Sequence, residues 1–208
     1  MDIRTIVSLA PVIPVVTLDD PAKAVPLARA LVAGGLPVIE MTLRTETAYA
    51  SVKAIIREVP DAVVGFGTVT RIDQFVAAVD LGARFAVSPG LLPELVEAAA
   101  RARLPYLPGI ATATDLMAAI AGGHQLLKFF PAEPAGGIPM LKALHGPFAD
   151  ARFCPTGGID AANAGDYLAL PNVLAVGGSW VTPKAALDSG DWDAITGLAQ
   201  QAVQLRKS

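Results

Sequence analysis

The chain has 208 residues, 53% of them hydrophobic and only 17% charged, with a formal net charge of −3. That length suits one domain with a sizeable core, or at most two small ones. No stretch of about 18 apolar residues runs free of charge, proline or glycine, so no membrane span is expected, and the lack of a Lys/Arg cluster argues against a nucleic-acid partner.

In chain order, Met1-Asp2-Ile3-Arg4 lacks a basic cluster, and the apolar stretch after it is broken by Pro11 and Pro14. No secretory signal is expected, and a cytoplasmic location is the default. The apolar run 12–17 reads as a first strand. Asp20-Pro21 then supplies a cap and an N1 proline for a helix carrying Val25, Leu27, Leu31 and Val32, closed by Gly34-Gly35. Residues 37–43 read as a second strand. In it Val38, Glu40, Thr42 and Arg44 share one parity, so a carboxylate, a hydroxyl and a guanidinium line up toward its C-terminal end.

Residues 62–68 and 84–87 read as the third and fourth strands, ending on Gly67-Thr68 and on Ser88-Pro89-Gly90. A fifth strand is expected at 104–107, followed by a helix opened by Thr114-Asp115, with Leu116, Met117 and Ile120 as its apolar stripe and Gly122-Gly123 as its stop. The sixth strand, 125–130, carries Lys128 between Leu127 and Phe129. The seventh and eighth, 152–155 and 173–176, lead into two glycine clusters, Thr156-Gly157-Gly158 and Gly177-Gly178-Ser179. A last helix starts near Asp191 and is expected to bury Ile195, Leu198, Ala202 and Leu205.

Eight strand–helix units without a linker imply a parallel sheet, because each crossover helix returns the chain to the same edge. A doubly wound dinucleotide fold calls for a glycine-rich turn after the first strand. Here that strand runs into Thr17-Leu18-Asp19-Asp20. The expected architecture is therefore an α/β fold, a (β/α)8 TIM barrel spanning 1–208 as a single domain.

In such a barrel the active site lies at the C-terminal strand ends. Burial of Lys128 in an apolar strand disfavours its charged form and leaves an amine able to attack a carbonyl. On that strand alone, a lysine that snorkels outward or pairs with a carboxylate is an equal reading. Glu40 shifts the balance: a charge on the barrel-facing side of a strand needs a partner, and Lys128 is available. A purely structural pair explains the charges but not their place at the catalytic end. A carboxylate beside a lysine can shuttle protons, and Arg44 can hold a substrate carboxylate bidentately. The two glycine clusters fall in the loops that commonly bind phosphate in this fold, where bare backbone N–H groups approach an anion closely.

Thr68 could bond a substrate carboxylate and Pro89 could form an apolar wall, although each alone is more often a turn residue. His124 and His145 have no neighbours at metal-ligand spacing, so no metal is expected. The single cysteine, Cys154, excludes an intrachain disulfide, matches a reducing compartment, and reads as a small buried hydrophobe rather than a nucleophile. Trp180 and Trp192 read as packing residues.

The stretches Ile39-Glu-Met-Thr-Leu-Arg-Thr45, Gly67-Thr-Val69, Ser88-Pro-Gly90, Lys128-Phe-Phe-Pro-Ala-Glu133, Arg152-Phe-Cys-Pro-Thr-Gly-Gly158 and Gly177-Gly-Ser-Trp180 occur in this order over nearly the whole chain. Through them the chain resembles the bacterial 2-keto-3-deoxy-6-phosphogluconate (KDPG) and 4-hydroxy-2-oxoglutarate (KHG) aldolases, class I enzymes of the Entner–Doudoroff route. The resemblance implies that Lys128 is the Schiff-base lysine and Glu40 the acid/base. It places Arg44 and Thr68 on the pyruvate carboxylate, Pro89 and Phe130 around the ketoacid, and Thr156, Gly157, Gly158, Gly178 and Ser179 at a distal phosphate and hydroxyl site. It further implies no metal, no cofactor and a homotrimer. Phe66 departs from the family, which more usually has a small residue there. From strand parity it is expected to narrow the pocket and alter which ketoacid fits.

The expected reaction is cleavage of the phosphorylated ketoacid to pyruvate and glyceraldehyde 3-phosphate. A ketoacid without phosphate, such as 4-hydroxy-2-oxoglutarate, is the alternative substrate. A barrel that only binds a phosphorylated metabolite is the non-catalytic alternative, and it leaves Lys128, Glu40 and Arg44 unexplained.

Overall fold

A computed structural model of the chain describes residues 1–205. Nine short strands alternate with helices: β1 Val12–Val16, β2 Val38–Thr42, β3 Val63–Gly67, β4 Ala86–Val87, β5 Tyr106–Leu107, β6 Gly109–Ile110, β7 Leu126–Phe129, β8 Arg152–Pro155 and β9 Val176–Gly178. The helices are α1 Ile3–Val7, α2 Ala24–Ala33, α3 Ala48–Glu58, α4 Asp73–Leu81, α5 Pro93–Ala102, α6 Ala113–Ala121, α7 Gly137–His145, α8 Ala164–Leu168, α9 Lys184–Ser189 and α10 Trp192–Gln204. None of them is long and apolar enough to cross a membrane.

Every strand pair is parallel, in the orders β5-β4-β3-β2-β1-β9 and β6-β7-β8. Single bridges, Phe153 to Val173 and Thr156 to Gly177, tie β8 to the last unit and bring the curled sheet round on itself, TIM-like. Two expectations are corrected in detail. The fifth strand is two pieces separated by Pro108, which has no N–H to give a ladder but whose carbonyl accepts from the Lys128 N–H at 2.9 Å. The last strand begins at Val176, where its N–H reaches the Pro11 carbonyl, rather than at Val173, which makes only the isolated bridge.

Two apolar layers follow from the two faces of each strand. Ile13, Val38, Phe85, Val87, Leu107, Leu126, Cys154 and Ala175 fill the barrel interior, and Ile6 and Val7 of α1 pack against them. Asp2 caps α1 by accepting the Thr5 N–H at 2.7 Å. The opposite faces, with Val12, Val16, Ile39, Met41, Phe129 and Phe153, pack against the helices.

The helix expectations hold in part. Asp191 caps α10, and Ile195 and Ala202 are buried as expected, while Leu198 and Leu205 are half-buried. A 3-10 turn at Pro21–Lys23 precedes α2. For α6 the cap is Thr112, whose side chain forms a capping box with Asp115, and the buried positions are Leu116 and Ala119. Met117 and Ile120 face outward, because the helix is rotated from the expected stripe.

Phe66 is the clearest correction. Glu40 pairs with Gly65 and Thr42 with Gly67, and paired residues of a parallel sheet share a face. Gly65 and Gly67 therefore face the barrel interior. Phe66 points into the helix layer, fully buried and edge-on to Tyr49 of α3 at 5.2 Å. It does not narrow the pocket. Phe66→Ala should cost about 3–5 kcal/mol of stability, the usual penalty for emptying a phenylalanine site. Urea unfolding should show that loss with no change in the ratio of rates on two ketoacids; a changed ratio would return Phe66 to the pocket.

Candidate active site

Lys128 lies on β7 and Glu40 on β2, each facing the interior above the apolar floor. They are 5% and 3% exposed, and the lysine Nζ donates to Glu40 Oε1 at 2.9 Å. Room for two long polar side chains is made by glycine. A Cβ on Gly67 would lie 2.4 Å from Glu40 Oε1. A buried ion pair is a poor device for stability, since desolvating both charges cancels most of their attraction. Holding an amine and a carboxylate at proton-transfer distance is what this arrangement can do chemically.

The Phe130 ring centroid is 5.3 Å from Lys128 Nζ, and the same ring lines a cavity of about 850 Å³. Phe130 thus joins the buried pair to an open pocket. Among the sequence-derived site residues, Arg44, Thr156, Gly157, Gly158, Gly178 and Ser179 line that pocket too. Arg44 sits in the loop after β2, which Thr45 and Thr47 fasten by donating to the Leu18 carbonyl at 2.7 and 2.5 Å. Its guanidinium makes no ion pair with another described residue.

Thr68 and Pro89, like Lys128 and Glu40, are not among the residues that line the cavity. Thr68 follows β3 with φ 61, a left-handed conformation that costs a β-branched residue about 1–3 kcal/mol and that clusters at functional sites. Pro89 is half-buried, and its backbone crowds Gly109, where a Cβ would approach to 2.4 Å. Both stand at C-terminal strand ends, as expected.

At the phosphate-type loops, a Cβ on Gly177 would lie 2.3 Å from Thr156 Oγ1, and one on Gly178 would strike the Trp180 ring. Gly157 and Gly158 have φ of 101 and 78, open only to glycine at no cost. Cys154 stands beside Lys128 in register, and burial pushes its thiol up to about 12, with the Lys128 charge pulling the other way. Its burial fits a packing role. His124 packs edge-on to Tyr106 at 5.8 Å, and burial lowers its pKa.

Sequence reasoning missed the pocket rim. Lys184 donates to both carboxylate oxygens of Asp188 at 3.0 and 2.9 Å, and Lys23 reaches the Asp188 carbonyl at 3.4 Å. An i,i+4 Lys–Asp spacing in α9 was the available signal. It also missed the interior glycines, although Gly65 and Gly67 inside an apolar strand are the usual mark of a close approach.

Comparison with known proteins places these features in a lineage. A family model described as KDPG and KHG aldolase matches residues 3–198. The chain is 50% identical over 201 residues to the KHG/KDPG aldolase of Escherichia coli, covering 97% of this chain and 94% of that one. It is 52% identical over 198 residues to the 2-dehydro-3-deoxy-phosphogluconate aldolase of Dickeya dadantii, covering 95% and 93%. Among solved structures, the KDPG aldolase of Legionella pneumophila, with pyruvate captured as a covalent carbinolamine intermediate, superposes with a TM-score of 0.95 at 44% identity over 98% of each chain. The Zymomonas mobilis 2-keto-3-deoxy-6-phosphogluconate aldolase with 3-phosphoglycerate superposes with a TM-score of 0.92 at 47% identity, over 98% of this chain and 96% of that one.

Proposed function

The chain belongs to the KDPG and KHG aldolase family, and from that membership we propose that it cleaves 2-dehydro-3-deoxy-6-phosphogluconate to pyruvate and D-glyceraldehyde 3-phosphate through a Schiff base on Lys128. It is a lyase, and the reaction is a step of the Entner–Doudoroff route. The observation that carries the residue assignment is the buried Lys128–Glu40 pair beside Phe130, whose ring also lines the pocket shared by Arg44 and the two glycine loops.

Lys128 attacks the C2 ketone, and Glu40 relays the protons that turn the carbinolamine into an iminium. The iminium accepts the electron pair of the C3–C4 bond as the C4 hydroxyl loses its proton, so the aldehyde leaves and an enamine of pyruvate remains. Protonation at C3 and hydrolysis free the lysine. Arg44 and Thr68 hold the ketoacid carboxylate, Pro89 and Phe130 pack its carbon chain, and Thr156, Gly157, Gly158, Gly178 and Ser179 receive the phosphate. Incubation with pyruvate and borohydride, then peptide mass mapping, tests this. The expected adduct is confined to Lys128; the absence of any adduct, under conditions that trap a known class I aldolase, removes the proposal.

The E. coli relative is named for both KHG and KDPG, which favours a second substrate, 4-hydroxy-2-oxoglutarate. The Zymomonas neighbour with 3-phosphoglycerate favours the phosphorylated one. Comparing kcat/KM on the two ketoacids ranks them.

We further propose a cytoplasmic homotrimer. Ile72, Val76 and Val79 form an exposed apolar stripe along α4 at helical spacing, 46–58% exposed, the kind of surface that association covers. Val76→Glu should lower the assembly mass by light scattering; an unchanged mass would place the contact elsewhere.

A further inference from the structure

The anion loop is shaped from behind by side chains not assigned to the site above. Three successive carbonyls point away from the pocket. That of Thr156 accepts from the Ala132 N–H at 2.8 Å, that of Gly157 from the Glu133 N–H at 3.0 Å, and that of Gly158 from Asn163 Nδ2 at 2.9 Å. In a trans peptide the C=O and the following N–H point in opposite directions. The N–H groups of Gly157, Gly158 and Ile159 are therefore turned the other way, and all three residues line the pocket. The Gly157 N–H faces the Gly177 carbonyl across the Thr156–Gly177 bridge, while those of Gly158 and Ile159 donate to no described residue. Two successive unpaired N–H groups make a nest for an anion.

Two of the three peptides are held by the backbone after β7. The third depends on one side chain. Asn163 Oδ1 accepts the Asp160 N–H at 3.0 Å, which leaves its amide no freedom but to present Nδ2 to Gly158. The opposite flank is braced by Glu133, which accepts the Tyr167 hydroxyl while its stem fills the space that a Cβ on Gly158 would occupy.

Resting on the proposed phosphate site, we infer that Asn163 is a positioning residue for phosphate recognition: it fixes the Gly158–Ile159 peptide so that the Ile159 N–H joins that of Gly158 as the second donor of the anion nest. It touches no substrate itself. Asn163→Ala frees that peptide to rotate, and Asn163→Asp keeps the Oδ1 acceptor while replacing the donor with a charge that repels the Gly158 carbonyl.

The test sets the phosphorylated substrate against pyruvate, which has no phosphate. Either variant should raise KM for 2-keto-3-deoxy-6-phosphogluconate about tenfold, the worth of one hydrogen bond to a charged group. The pyruvate concentration that half-traps Lys128 with borohydride should stay within about twofold, because that end of the site is untouched. Equal movement of both readouts, or movement of neither, overturns the inference. A second measurement needs no variant: in the unaltered 15N-labelled chain, inorganic phosphate should shift the Ile159 amide resonance together with that of Gly158. An Ile159 amide that stays still while that of Gly158 moves also overturns it. Failure of pyruvate trapping in the unaltered enzyme would instead be a failure of the Schiff-base proposal, so the two outcomes are distinct.

Discussion

Lys128→Ala should abolish cleavage of 2-keto-3-deoxy-6-phosphogluconate and, with it, every borohydride-trapped pyruvate adduct. The reason is covalent: no other described amine shares the interior with Glu40, and without an iminium the C3–C4 bond has no electron sink. The variant also leaves Glu40 as a buried carboxylate without its partner. Breaking such a pair costs about 3–5 kcal/mol, so activity must be read on protein shown to be folded by circular dichroism. Lys128→Met, close to the lysine in volume, serves as the packing control and should be equally inactive. Near-normal turnover in either folded variant would reduce Lys128 to a structural charge.

The second large effect is at Glu40. Glu40→Gln keeps the shape and a hydrogen-bond acceptor for Lys128 but cannot relay protons. It should lower kcat by about 10²- to 10⁴-fold, the usual contribution of a positioned general acid/base. Pyruvate should still be trapped on Lys128, more slowly, because the amine remains. That split separates a catalytic Glu40 from one that merely neutralises the lysine. A structural Glu40 predicts lost stability with kcat preserved in the folded fraction. Gly67→Ala offers the same defect by another route, since its Cβ would fall 2.4 Å from Oε1 and displace the carboxylate.

Much of this site is legible in the amino-acid sequence. Period-2 alternation put Glu40 and Thr42 on one face of β2 and Lys128 on one face of β7, and both faces proved to be the interior. The positions of Thr156, Gly157, Gly158, Gly178 and Ser179 after the last two units were enough to expect that they share one pocket, and they line the same cavity. Cap residues marked helix starts, as Asp191 does for α10. These are local signals: alternation and capping depend on neighbours within a few residues.

Other features had no local signature. Phe66 was grouped correctly with Val64, but both faces of a doubly buried strand are apolar, so alternation cannot tell which is inside. Only the register of β3 against β2, Gly65 beside Glu40, decides it. Thr68 shares that nominal parity, yet it lies past the strand end, where φ 61 redirects the chain. The plug α1 and the rotation of α6 were settled by packing, not by caps.

What the sequence determined by itself was the parallel α/β repeat and the grouping by face of the polar residues on β2 and of Lys128 on β7. Tertiary structure alone decided that Lys128 and Glu40, 88 residues apart, meet at 2.9 Å, and that Asn163 turns the Gly158 peptide. The physical reason is range. Side-chain alternation is written into each segment, whereas register between strands and the orientation of a loop peptide come from hydrogen bonds to partners far along the chain.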